Sequence, residues 1–253
     1  MKKILIAGES WMSYTTHVKG FDSFTTSTYE EGVGPIREAL RKGGYHVDFI
    51  PNHLASREFP LTMDELLPYS CVILSDIGSN TLLLSDNVFV RGQKEANRLE
   101  LIRDYVGQGG SFLMIGGYMS FTGIDAKTRY GETAIAEILP VEMLPHDDRM
   151  ERPGGVYPEI LQPGHPVFRG IREEWPHFLG YNRTLPVEGP GEILATIDED
   201  PFIGVMEFGR GRTAIFSSDC APHWGPPEFT GWKYYDLFWK NLMDWLTDRP
   251  EAQ

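Results

Sequence analysis

Two cysteines, Cys71 and Cys220, are all that 253 residues contain. That is too few for a disulfide framework, so a reducing, cytoplasmic setting is expected. Long apolar runs are missing too. After two lysines only residues 4–7 are continuously apolar before Gly8, Glu9 and Ser10, far short of a signal-peptide core or the roughly 20 residues of a membrane span. Neither export nor membrane insertion is expected. Positive charge is scarce: 23 Lys and Arg stand against 36 Asp and Glu, a formal net charge of -13. This disfavours nucleic acid and anionic membranes as partners. The chain has no internal repeat, low-complexity tract or clear linker, which argues for one domain over residues 1–253. No pair of potential metal ligands shows diagnostic spacing such as His-x-x-x-His, no cofactor is called for, and whether a metal binds stays open.

What is present is an alternation. Four short β-prone runs, residues 3–7, 46–50, 71–74 and 111–115, are separated by amphipathic stretches, the pattern of a mostly parallel α/β sheet with crossover helices on both faces. Residues 33–42 predict a helix that ends at Gly43-Gly44. Residues 96–106, with Leu99, Ile102 and Val106 at helical spacing, predict another before Gly109-Gly110. From about Pro140 the texture changes to closely spaced Pro and Gly with short β-like runs, and this half is expected to carry antiparallel strands. Residues 204–217 read as a hairpin turning at the Gly-Arg-Gly-Arg run 209–212. Residues 234–246 read as a terminal helix with Leu237, Phe238, Asn241, Leu242 and Trp245 on one stripe.

In an open parallel sheet, ligands bind beyond the carboxyl ends of the strands, where loops converge with helix N-termini. That rule selects residues 8–11, 76–80, 116–120 and 219–224, hence Glu9, Ser10, Trp11, Asp76, Gly117, Tyr118, Ser120, Asp219, Cys220, His223 and Trp224. Each has an ordinary structural role as its competitor. Ser10 or Asp76 would cap a helix, Gly116-Gly117 would permit a tight turn, Trp224 would cover the sheet edge, and Cys71 and Cys220 would be small buried fillers. Residues 12–31 carry His17, Lys19, Asp22 and interleaved aromatics without helical or strand period, and read as a long functional loop, a lid or binding loop, or else as a solvated excursion pinned by its aromatics. His165 reads as a loop residue before a strand. Arg183 either orients a ligand carboxylate or sits in a surface turn. The aromatics between Trp232 and Trp239 suggest either C-terminal packing or a surface for a homo-oligomer.

The ordered segments GESW, KGFDSFTT, YEEG, LSDIGSNTLLL, FLMIGGYMSF and SDCAPHWG resemble an uncharacterised bacterial family of glutamine amidotransferase-like proteins. That family is related to the class I glutamine amidotransferases and, more loosely, to trehalose-utilisation-type proteins. The resemblance covers nearly the whole chain and implies a flavodoxin-like three-layer sandwich, with an antiparallel hairpin added in the C-terminal half and the site at the sheet's carboxyl edge. In a working glutaminase a cysteine occupies a sharp strand-to-helix turn, flanked by small residues and facing backbone N–H donors. Here the corresponding turn is Gly116-Gly117-Tyr118-Met119-Ser120, with a phenol at its apex. The late His-x-Glu run is replaced by Ser217-Ser218-Asp219. The resemblance therefore implies the fold without the usual glutamine hydrolysis.

Three chemistries remain. Glu9, Asp76, Tyr118, Asp219, His223 and Trp224 suit a small polar, sugar-like ligand, since carboxylates accept hydrogen bonds from hydroxyls and aromatic faces cover apolar ring edges. Cys220, with His223 as base and Asp219 as orienting carboxylate, would make a cysteine hydrolase. A divalent metal held by His17, Glu9, Asp76, Asp219 or His223 would make a hydrolase without a nucleophilic side chain.

Overall fold

Each short β-prone run of the first half is a strand of one sheet. The computed structural model describes residues 1–248. The expected strands are Lys3–Gly8, His46–Ile50, Cys71–Ser75 and Ser111–Ile115. The three inner strands lack polar alternation because helices bury both sides, whereas the edge strand His46–Ile50 leaves His46 exposed and Asp48 half-buried. Ile4, Ile6, Cys71, Ile73, Leu113 and Ile115 pack on one face, and Leu5, Ala7, Val72, Leu74, Phe112 and Met114 on the other. The helices Gly34–Lys42 and Tyr235–Thr247 cover the first face, and Arg98–Gly107 covers the second. Asn97 starts the last of these by accepting hydrogen bonds from the N–H groups of Leu99 and Glu100.

A fifth parallel strand, Gly211–Phe216, lies beside Ser111–Ile115. The spatial order is then His46–Ile50, Lys3–Gly8, Cys71–Ser75, Ser111–Ile115, Gly211–Phe216, which is the flavodoxin-like arrangement. Three antiparallel strands, Asp200–Phe208, Gly191–Ile197 and Pro158–Ile160, widen the sheet to eight. The expected hairpin is present and turns at Gly209, whose φ of 57° suits glycine. The chain starts in a middle strand, goes to one edge, then returns past its start to Cys71–Ser75. The switch of direction therefore lies between the ends of Lys3–Gly8 and Cys71–Ser75, where such folds open a crevice.

Three expectations need correction. Residues 12–31 are not an irregular loop: Ser10–Lys19 and Asp22–Glu31 pair over ten residues as an antiparallel ribbon, turning at Gly20 and Phe21. Threonines and aromatics favour strand geometry, but beyond its root both faces of the ribbon meet solvent, so no apolar-polar alternation marks it in the sequence. The aromatics from Trp232 to Trp239 form no exposed surface. Trp239 is buried against the sheet with Tyr235 and Phe238, and Trp232 packs on Trp175 at 4.9 Å. His165, expected in a loop before a strand, instead caps the short 3-10 turn Pro166–Phe168. Arg183 follows the strand Phe178–Asn182 and pairs with Asp200 at 3.1 Å. No helix among the described residues is long and apolar enough to cross a membrane.

Candidate functional site

The two strands flanking the switch end in the same way. Gly8 is followed by Glu9 at φ 43°, and Ser75 by Asp76 at φ 46°. Non-glycine residues in the left-handed region cost energy and concentrate at functional sites. The Glu9 N–H donates to Ser75 O at 2.7 Å, so the two ends are tied together. Both carboxylates are buried. Ser75 Oγ donates to Glu9 Oε2 at 2.5 Å, while Asp76 Oδ1 accepts from Met119 N at 2.6 Å.

The bend after Ile115 supplies the next wall. Gly117, at φ 148°, passes so close to Asp76 that a Cβ there would lie 2.7 Å from Oδ1. Gly117 N donates to Asn182 Oδ1 at 2.9 Å. Ser120 is a brace: its Oγ donates to Ile115 O at 2.6 Å and accepts from Asp76 N at 3.1 Å. Two amides of this bend, on Gly117 and Met119, are thus engaged by side-chain oxygens. Tyr118, at the apex, has an ordinary negative φ and sends its hydroxyl to Glu151 Oε1 at 2.9 Å. Trp224 Nε1 donates to the other oxygen of Glu151 at 3.1 Å, and Arg149 lies over the Tyr118 ring at 4.9 Å.

The loop after Gly211–Phe216 closes the cluster. Asp219 and Cys220 are buried, while His223 is half exposed, its Nδ1 3.7 Å from Asp219 Oδ2. Cys220 Sγ lies 3.8 Å from both Glu9 Oε2 and Ser75 Oγ. Ligand-capable atoms of Glu9, Asp219 and Cys220 all fall within 4.8 Å of one another. Glu9 Oε1 and Asp219 Oδ2 are buried without a hydrogen-bond partner, Asp219 Oδ2 having only the longer ion-pair contact with His223, an arrangement that costs energy unless a proton, cation or ligand satisfies them.

Above this floor the aromatic rings form a row. Trp11 lies 5.2 Å from His223, His223 5.7 Å from Tyr118, and Tyr118 5.4 Å from Trp224. Trp11, Tyr118 and His223 reach solvent, whereas Trp224 is buried.

Electrostatics follow from burial. None of Glu9, Asp76 and Asp219 pairs with Lys or Arg among the described residues. Desolvation, then Asp219 and Asp76, pushes Glu9 well above the usual carboxyl range. Desolvation, then Asp219, raises Asp76 to about 6. Desolvation also raises Asp219, against the opposing pull of His223, and Asp219 in turn raises His223. The Cys220 thiol is pushed well up by burial and then by Glu9 and Asp219, the reverse of what activates a cysteine.

The sheet edge thus brings together Glu9, Trp11, Asp76, Gly117, Tyr118, Asp219, Cys220, His223 and Trp224. Ser10 is nearby but structural, its Oγ accepting from Asn52 N at 2.8 Å. His17 is not part of the cluster. It stacks on Phe24 at 4.7 Å, far out on the ribbon, roughly 20 Å along the strand from Ser10 at about 3.3 Å per residue. Sequence reasoning missed Ser75, Arg149, Glu151 and Asn182. Ser75 was within reach as the last residue of a strand. The other three come from the second half, on the strands Arg149–Val156 and Phe178–Asn182, whose pairing no local pattern announces.

The model of the family described as "Putative glutamine amidotransferase" matches residues 3–248. Among solved structures, "Cytoplasmic Protein STM3548 from Salmonella typhimurium" is similar at 45% identity and a TM-score of 0.93, over 97% of this chain and 99% of that one. "Cytoplasmic Protein STM1381 from Salmonella typhimurium LT2" is similar at 44% identity and a TM-score of 0.93, over 97% of this chain and 100% of that one. A ThuA-like protein from Bacteroides uniformis shares the fold alone, at 13% identity and a TM-score of 0.57 over 99% of this chain and 93% of that one. No curated protein matches.

Proposed function

For this chain, which belongs to the glutamine amidotransferase-like family, we propose a role in binding a small polyhydroxylated, sugar-like metabolite at the carboxyl edge of the sheet, without glutamine hydrolysis. The observation that carries this reading is the row of solvent-reaching rings Trp11, His223 and Tyr118, whose His223 stands 3.7 Å from Asp219 in the buried carboxylate cluster. Aromatic faces cover the C–H surfaces of a sugar ring, while Asp76 and Glu151 accept from its hydroxyls. Hydrolysis of glutamine lacks its parts. The bend after Ile115 carries a phenol, two of its amides are occupied by Asn182 and Asp76, and the thiol of Cys220 is buried beside carboxylates that oppose its ionisation. The same burial argues against the cysteine-hydrolase alternative. A cytoplasmic setting agrees with two buried free thiols and with the names of the Salmonella relatives.

The test is calorimetry and thermal shift against a panel of monosaccharides and polyols, beside an ammonia-release assay with glutamine. At least one sugar should raise the melting temperature. Trp11→Ala or Tyr118→Ala should weaken it about tenfold, the ~1.4 kcal/mol typical of one lost ring contact. No response from any sugar, or ammonia release that Tyr118→Phe leaves intact, refutes the reading.

A second reading rests on a different observation, the orphaned oxygens of Glu9 and Asp219 beside Cys220. Two carboxylates and a thiolate are a donor set for a borderline-soft divalent ion, with Cys220 a ligand and not a nucleophile. Cobalt(II) titration discriminates. A thiolate-to-cobalt charge-transfer band that Cys220→Ser abolishes supports a metal site, and a spectrum identical to aqueous cobalt ends it.

A further inference from the structure

The ribbon Ser10–Lys19/Asp22–Glu31 is long, paired throughout and almost unsupported. Its strands extend roughly 30 Å at about 3.3 Å per residue, and beyond the root at Ser10 no residue of either strand is buried. A two-stranded hairpin alone in water is marginally stable at best. Its exposed groups are large: Phe21 at the tip is fully exposed, Tyr14 and Val18 are 71% and 72% exposed, and Met12, Phe24 and Tyr29 more than 40%. Counting about 200 Å² for a whole aromatic side chain, the arm presents roughly 700 Å² of such surface. A stable interface buries about 800 Å² per partner, so the arm alone nearly supplies one side.

We propose that this ribbon is an assembly arm that docks on a second copy of the same chain. The choice of partner rests on charge and on the area that a stable dimer needs. Between Met12 and Tyr29 the only formal charges are Lys19 and Asp22, which cancel, whereas the chain as a whole carries -13. The arm is therefore a neutral stretch through which two such molecules can meet without like-charge repulsion. It offers no cluster of charge to an acidic or a basic partner. The body of the same chain also exposes apolar side chains, Leu84, Phe89 and Val90. Reciprocal exchange of arms closes a two-fold dimer and buries the apolar surface of both arms.

Sedimentation velocity of the full chain across the micromolar range is the primary measurement. Two variants accompany it: Tyr14→Ser/Val18→Ser/Phe21→Ser/Phe24→Ser, and a shortened arm in which residues 13–28 give way to an Asn-Gly turn joining Met12 to Tyr29. The wild type should sediment as a dimer or larger, and both variants should self-associate roughly 100-fold more weakly, as expected when interface anchors are removed. Their far-ultraviolet circular dichroism and melting curves report whether the body still folds. Because Cys71 and Cys220 are both buried, Thr25→Cys takes a spin label selectively in the otherwise intact chain. An intermolecular dipolar coupling then places arms from two copies in one particle even where a shortened variant does not fold. A wild type that sediments at 28.7 kDa throughout, or an oligomer that both folded variants retain, overturns the proposal. So does a monomer whose arm floats with neutral phosphatidylcholine vesicles, since the occupant would then be lipid.

Discussion

Glu9 and Asp76 show how far a single backbone angle can decide a site. Each follows a buried strand and turns into the left-handed region, and both buried carboxylates lie near enough to Asp219 for its charge to raise them. Gly117 is their counterpart, bare because Asp76 occupies the space a Cβ would take. Gly117→Ala should destabilise the fold by about 1–3 kcal/mol, from positive φ and the clash together. It should also weaken any ligand that leans on Asp76. Chemical denaturation beside ligand titration checks both, and a variant as stable as wild type would show that the bend relaxes freely. These conformations were not readable from residue types. Glycine at 116 and 117 advertised a turn, but nothing about glutamate or aspartate signals a positive φ.

Among the elements, legibility followed the strength of the period. Ser111–Ile115 and His46–Ile50 were recovered to the residue, and the helices Gly34–Lys42 and Tyr235–Thr247 to within one, because burial on both faces leaves an apolar run in the first, one buried face leaves alternation in the second, and one buried stripe leaves a helical period in the others. The ribbon was mistaken for a loop for the opposite reason: with water on both faces, its alternate positions have no cause to differ. Strands of the second half such as Arg149–Val156, with two glycines and a proline, gave no signal of their own. With them Glu151, which receives both Tyr118 and Trp224, stayed hidden. The candidate site was thus half visible. Apart from Ser75, residues at the ends of recognisable parallel strands were found, and those delivered by long-range antiparallel pairing were not.

For the molecule entire, the buried acids set how stability responds to pH. Asp76 is held near 6 when folded, above the ordinary aspartate value of about 3.9. The folded state therefore binds its proton more tightly than the unfolded chain does. Its contribution is fully present below about pH 4 and is lost as pH rises through about 6. Asp147, lowered by Arg149, acts in the opposite sense, so the cleanest measure is a difference. Asp76→Asn keeps an acceptor for Met119 N, and its stability relative to wild type should grow by of order 3 kcal/mol between about pH 3 and pH 7. Denaturation midpoints that move in parallel over that range would mean the carboxyl titrates normally.

Glu9 belongs at once to the crevice floor and to the root of the ribbon. Its carbonyl accepts from Gly32 N at 2.9 Å, and Ser10, the next residue, opens the first strand of the arm. One residue thus joins the carboxylate cluster to the first strand of the ribbon. Occupancy of the crevice and the grip of one subunit on another would then be thermodynamically linked and reciprocal, so that apparent affinity for a metabolite becomes a function of how concentrated the protein is.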